Sequence, residues 1–329
     1  MRNLANLPKA HLHVHLESTL RPATLAELSS ANGVDIPEDL RRGEYRFTGF
    51  ADFFQRNGLV RDSLCRAEDF HRAAVEFCED EAASGTRYAE VSFTAAAHGE
   101  RVGDLDMPLA SVLDGLAEGR RRFGIECRVI LDHSRRRSVG RAWRTLDLAV
   151  RYGPAGVVGV GLAGDEAFPL APFTEVFQAA AEAGLHIVHH AGEAEGADSI
   201  REAIGIGGAR RIGHGIRILD DPDLVAEVAE RRIPLEVCPS SNVALGFVPS
   251  IPGHPLDRLR RAGLAVTLST DVPALVGTTL TAEYALVRDA FGYDDETLAD
   301  LSRAGVDASF APAAVKRRLN EEIDAWLAA

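Results

Sequence analysis

Short apolar runs of strand length alternate along this chain with stretches whose apolar residues recur at helical spacing. The run from Lys9 to Leu16 sets His11, His13 and His15 against Ala10, Leu12, Val14 and Leu16. That period of two predicts a β-strand with its three histidines on one face. Further strands are predicted over residues 87–93, 126–131, 156–162, 185–190, 211–214, 233–238 and 264–269. Helical spacing fills the intervals, over residues 21–28, 68–83, 109–123, 141–151, 173–183, 200–204, 222–231 and 256–262, and closes the chain over 282–291 and 313–327. Pro22 suits a first helical turn and Gly33 a stop. The segment from Pro37 to about Val60 reads as irregular and gathers Phe47, Phe50, Phe53 and Phe54.

Eight near-continuous apolar strands separated by helices imply a parallel sheet covered on its outer side. With no repeat and no Pro/Gly/Ser-rich linker, the expectation is one α/β domain over residues 1–329: a (β/α)8 TIM barrel with extra helices. In that fold the active site lies at the C-terminal ends of the strands. The competing doubly wound sheet requires a glycine-rich phosphate loop after the first strand, where this chain has His15-Leu16-Glu17-Ser18.

Composition narrows the class. Of 329 residues, 46% are hydrophobic and 26% charged, as in ordinary globular proteins. A formal net charge of −13, with no basic block, disfavours nucleic acid as a partner. No apolar run reaches the roughly 20 residues needed to cross a bilayer, and the opening residues carry no leader pattern, so no membrane association is expected. Cys65, Cys78, Cys127 and Cys238 lack metal-site spacing and read as thiols in a reducing compartment. The expectation is a cytoplasmic protein acting on a small-molecule substrate.

Titratable residues stand at four predicted strand ends: His13, His15 and Glu17 at the first, His189-His190-Ala191-Gly192-Glu193 at the fifth, His214 at the sixth, and Asp271 at the eighth. Taken singly, His214 reads as a loop histidine and Asp271 as a turn or capping residue. Together, several imidazoles and a carboxylate suit Zn2+. A catalytic zinc lowers the pKa of a water from about 15.7 towards about 7. Glu193, three residues past His190, is close enough to such a centre to carry protons. His11 lies too early on its strand to reach the barrel mouth, and His189 alternates with His190 and should point away from the interior.

The motifs His13-Val14-His15, His190-Ala191-Gly192-Glu193, Gly213-His214-Gly215 and Ser269-Thr270-Asp271-Val272-Pro273 resemble the adenosine/adenine deaminase family of the amidohydrolase superfamily. So do Leu7-Pro8-Lys9, the stretch from Gly161 to Glu166, and that from Leu235 to Asn242. The resemblance runs from residue 7 to about 275 with every motif in family order. It implies one Zn2+ per subunit held by His13, His15, His190 and Asp271. It further implies that Glu193 protonates the substrate ring, His214 orients the attacking water, and Gly164 offers its backbone amide to a ring nitrogen. The phenylalanines between 47 and 54 resemble the family's apolar lid. Lysine occurs only at positions 9 and 316, so the carboxylated lysine that bridges two metals in binuclear amidohydrolases has no counterpart.

The chain departs from the family pattern where substrate is read. Val272 stands where the family has a second aspartate for the purine ring nitrogen, and Glu17-Ser18 stand where it has Asp-Gly. Gly161 replaces an aspartate found in many members. The implied activity is a zinc-dependent hydrolytic deaminase of a 6-aminopurine or related amino-heterocycle other than plain adenosine. Two alternatives stand beside it: hydrolysis of a cyclic amide or amidine C–N bond, and a non-catalytic binding protein on the same fold.

Overall fold

A computed structural model describes residues 1–329. Eight parallel strands follow one another in chain order around a barrel. They are β1 (Lys9–His11), β2 (Thr86–Phe93), β3 (Glu126–Ser134), β4 (Val157–Ala163), β5 (His186–Ala191), β6 (Arg211–His214), β7 (Leu235–Val237) and β8 (Val266–Leu268). Helices return the chain between them, as right-handed crossovers between parallel strands require. Every predicted helix, and every predicted strand after the first, has its counterpart within a few residues. No helix is long and apolar enough to cross a membrane.

The opening strand differs from its expectation. The ladder to β2 covers only Lys9, Ala10 and His11, and a 3-10 turn already begins at Leu16. Residues 13–15 run on between two neighbours: His15 bridges Ser92 near the end of β2, with Ser92 N donating to Val14 O at 2.8 Å, and their other side meets Asp271. Asp271 N donates to His13 O and His15 N donates to Asp271 O, each at 2.9 Å, and Val14 bridges Asp271. The seam between β8 and β1 is therefore closed by the backbone of three candidate site residues. Freed from a regular ladder, the three histidines do not share one surface. His11 Nδ1 lies 2.9 Å from Glu81 Oε1 on the helix Ala67–Ala83, and its Nε2 accepts from Thr270 N at 3.2 Å.

The segment expected to be irregular is largely helical, with turns over Glu38–Arg42 and Phe50–Asp62. The Asp52 carboxylate accepts from Thr48 N at 3.0 Å ahead of the longer helix. The aromatic run hides the periodicity, because Phe50, Phe53 and Phe54 take the face that elsewhere carries aliphatic residues. A further helix over Asp295–Ala308, not anticipated, packs on β8 and β1 behind the seam.

Two strand-end residues adopt left-handed backbone without being glycine: His214 at φ 66° and Asp271 at φ 64°. Such conformations cost about 1–3 kcal/mol each and persist where the surroundings over-determine them.

Candidate active site

The strand ends converge on one cavity lined by His15, Glu17, Gly164, His190, Glu193, His214, Asp271 and Val272, and covered by Phe50, Phe53 and Phe54. Phe47 packs edge-on against Phe53 behind that cover. His13 reaches the same place from below: ligand atoms of His13, His190, His214 and Asp271 all lie within 4.8 Å of one another. His15 borders the group, its Nε2 3.1 Å from His190 Nε2 and 3.3 Å from Asp271 Oδ1.

The outer partners fix how these rings face. Glu236 Oε2 lies 3.0 Å from His13 Nδ1, Asp132 Oδ2 lies 3.1 Å from His15 Nδ1, and Leu162 O lies 3.2 Å from His190 Nδ1. Carboxylates and carbonyls only accept, so each Nδ1 carries the proton and each Nε2 presents its lone pair inward. His13 Nε2 is buried without a hydrogen-bond partner, and the other two Nε2 atoms face one another. Inward lone pairs beside a carboxylate call for a cation, and imidazole with carboxylate is a donor set suited to zinc. The residues fit the metal that the sequence implies.

Apart from a metal, the cluster's own carboxylates draw protons onto these rings. Against burial, His13 and His15 hold the Asp271 carboxyl well below its ordinary range. Against burial, in turn, the Asp271 and Glu236 carboxylates push His13 up to about 9, so a metal at this site would displace a proton from His13 Nε2. Burial, then the charges on His13 and His15, keeps His190 well below its ordinary value. Ser241 Oγ donates to the outer oxygen of Asp271 at 2.6 Å and leaves the inner one facing the imidazoles.

Beside this cluster stand Glu193 and His214. Burial, then Asp271 and Glu166, raises the Glu193 carboxyl well above its ordinary range. Burial and the neighbouring His13 hold His214 down to about 3, so its ring is neutral and can accept a proton. Asn242 Nδ2 donates to Glu193 Oε1 at 2.7 Å and lies 3.3 Å from His214 Nδ1. The amide is oriented in its turn. Leu256 N donates to His254 Nδ1 at 3.1 Å, which places the His254 proton on Nε2, 3.2 Å from Asn242 Oδ1. Glu166 secures the Glu193 loop by accepting from Gly192 N, Glu193 N and Ala194 N at 2.7 to 2.9 Å.

Glu17 lies at the cavity wall. Its Oε1 accepts from Thr94 N at 3.0 Å and lies 3.1 Å from His98 Nε2. Val272 is buried in the lining and brings no polar atom. Gly164 adopts φ 89° at the end of β4. Gly161 sits where β4 and β5 approach most closely: an added Cβ would come within 1.9 Å of Val188 O, so this barrel has no room for an aspartate there. His189 packs edge-on against Phe177 of the helix Thr174–Glu182, with Nδ1 accepting from Leu162 N at 3.1 Å.

Glu166, Glu236, Ser241 and Asn242 stand within motifs that gave them no task, and no motif included Asp132 or His254. Asp132 falls one residue beyond the predicted third strand, where the strand-end argument reaches it. His254 lies in a loop with no periodic feature to mark it.

A (β/α)8 barrel with a histidine–carboxylate cluster and a buried acid at the strand ends has the architecture of an amidohydrolase. The adenosine deaminase family model matches residues 8–326. An aminodeoxyfutalosine deaminase of Streptomyces coelicolor is 38% identical, over 99% of this chain and 86% of that protein. The crystal structure of adenine deaminase from Arthrobacter aurescens superposes with a TM-score of 0.92 at 33% identity, covering 98% of this chain and 99% of that one. An amidohydrolase from Burkholderia ambifaria with bound Zn superposes at 0.89 and 25% identity, covering 99% and 94%. The chain belongs to the adenosine/adenine deaminase family of the amidohydrolase superfamily, a family of hydrolytic deaminases.

Proposed function

We propose that this protein is a zinc-dependent hydrolytic deaminase of an amino-substituted heterocycle, purine-like in size, that is not plain adenosine. The observation carrying the reading is the convergence of three inward Nε2 lone pairs and the Asp271 carboxylate beside a protonated Glu193.

In this reading His13, His15, His190 and Asp271 hold one zinc ion and His214 stands beside the position left open to water. When bound, the metal supplies a Lewis acid that makes water nucleophilic near neutral pH. The chain's own residues do the rest. The substrate ring lies in the cavity with its amino-bearing carbon towards the cluster, and the phenylalanine cover excludes bulk water. Glu193, protonated by its burial, gives its proton to the ring nitrogen next to that carbon, making the carbon electrophilic. His214, neutral, takes a proton from the attacking water and keeps its oxygen directed at the carbon. A C–O bond forms, His214 passes the water's first proton to the amino group, the C–N bond breaks and ammonia leaves; the water's second proton returns to Glu193, and the ring nitrogen keeps the proton it received. Gly164 offers its N–H to the ring. Glu17 addresses the substituent that the ring carries.

Val272 limits the substrate. A purine seated with an imidazole nitrogen against Val272 would bury an unpaired acceptor, at about 1–3 kcal/mol. That is a five- to hundredfold loss relative to a ring with carbon or a substituent there. Ammonia release from adenosine, adenine and a panel of modified amino-heterocycles tests the reading. The expected result is faster release from a modified member than from adenosine; adenosine turnover above every other member would remove the specificity part.

A further inference from the structure

The helix Phe50–Asp62 covers the cavity with one face, and that face changes character along its length. Phe50, Phe53, Phe54, Asn57 and Arg61 follow one another at helical spacing and all line the cavity. The series runs from apolar, through an amide, to a guanidinium. Arg61 is the one cationic side chain of lysine or arginine type in the lining.

That guanidinium has no committed partner. It donates no hydrogen bond within the protein, and its nearest carboxylate is the adjacent Asp62 at 3.7 Å, with both side chains about 40% exposed. The neighbouring cations are engaged. Arg137 pairs with Glu100, and Arg101 is spent on the carbonyls of Leu64 and Arg61 and on His98. Glu17 on the same wall turns Oε1 to Thr94 and His98 and keeps Oε2 for the substituent. Asn57 accepts from Ser18 Oγ at 3.0 Å through Oδ1, which leaves its amide hydrogens for a ligand.

We infer that this end of the cavity recognises an anionic group, a phosphate or a carboxylate, on the part of the substrate remote from the reacting carbon, with Arg61 as its partner and Asn57 as an added donor. The assignment rests on the deaminase reading only for which end of the substrate reacts. A planar guanidinium presents parallel donors that match either anion. Val272 in place of an aspartate leaves the lining with one negative charge fewer.

The test uses zinc-loaded full-length protein as wild type, Arg61→Ala and Arg61→Glu. Calorimetry reads affinity for inosine, inosine monophosphate and the inosine analogue with a carboxylate in place of the phosphate, while ammonia release is followed from adenine, adenosine and adenosine monophosphate. Wild-type protein is expected to bind at least one anionic ligand about tenfold more tightly than inosine, and the ratio should fall as salt is raised. The ratio should collapse towards one in Arg61→Ala and invert in Arg61→Glu. Preference for one of the two anions identifies its source. Anionic ligands that bind no better than inosine, or an advantage that survives charge reversal, overturn the inference. Ammonia release with no anion preference removes the anion site alone; an anion preference with no ammonia release from any compound removes the deaminase reading alone.

Discussion

His15 Nε2 and His190 Nε2 face one another at 3.1 Å, each with its Nδ1 directed to a fixed acceptor, Asp132 in one case and Leu162 O in the other. At that distance the two nitrogens either share a proton or turn both lone pairs towards a cation beside them. The protein should therefore bind one zinc per chain, and binding should raise its melting temperature. At metal a hundredfold above the dissociation constant the gain is about 2.7 kcal/mol. His190→Ala should lose most of that gain in a thermal-shift titration. Equal zinc stabilisation of wild type and His190→Ala would place the metal elsewhere.

The bond from Asn242 to Glu193 makes a second prediction. Asn242→Ala removes the donor that orients the Glu193 carboxyl, so kcat should fall about ten- to hundredfold with little change in KM. His254→Gln keeps a donor for Asn242 Oδ1 and should retain more activity than His254→Ala. A uniform rise in KM across all three variants would argue for a packing role.

Val272→Asp restores a polar group facing the purine site. If the missing hydrogen bond is the main obstacle, adenosine kcat/KM should rise about five- to hundredfold. Steady-state kinetics on adenosine with the variant decide it, and an unchanged or lower value would relocate the specificity to Glu17 and the cover.

Glu283 makes the pH prediction. It is buried, Oε2 accepts from Ser240 N at 3.3 Å, and Oε1 has no partner. Burial raises its carboxyl from 4.5 to about 7. Across that window the folded protein holds a proton that the unfolded chain has lost, so stability falls as pH rises. Glu283→Gln removes the titration. At about pH 8 the variant should be more stable than wild type by on the order of 1–3 kcal/mol, and near pH 4 the difference should vanish. Melting curves at the two pH values measure it.

The barrel was legible because eight apolar runs and their helices follow a period that tertiary packing does not alter. What escaped depended on pairing over long distances. Nothing in residues 9–16 says that the regular ladder is interrupted after His11, or that residues 13–15 also close the barrel against Asp271, more than 250 positions away. The helix Phe50–Asp62 was hidden by aromatics that serve the cavity. The inner site residues could be read because strand ends announce themselves. Asp132, His254 and Arg61 matter through a partner or a cavity supplied by another part of the chain, and local pattern carries no trace of that.

The central claim is that these residues deaminate an amino-heterocycle with the metal in place. The most direct measurement is the yield of ammonia per molecule of heterocycle consumed, with zinc-loaded and chelated protein side by side. One ammonia per turnover, a product carrying oxygen where the amino group was, and loss of turnover on chelation are expected. Consumption of substrate to a ring-opened product without ammonia, or undiminished turnover in the chelated protein, would contradict it.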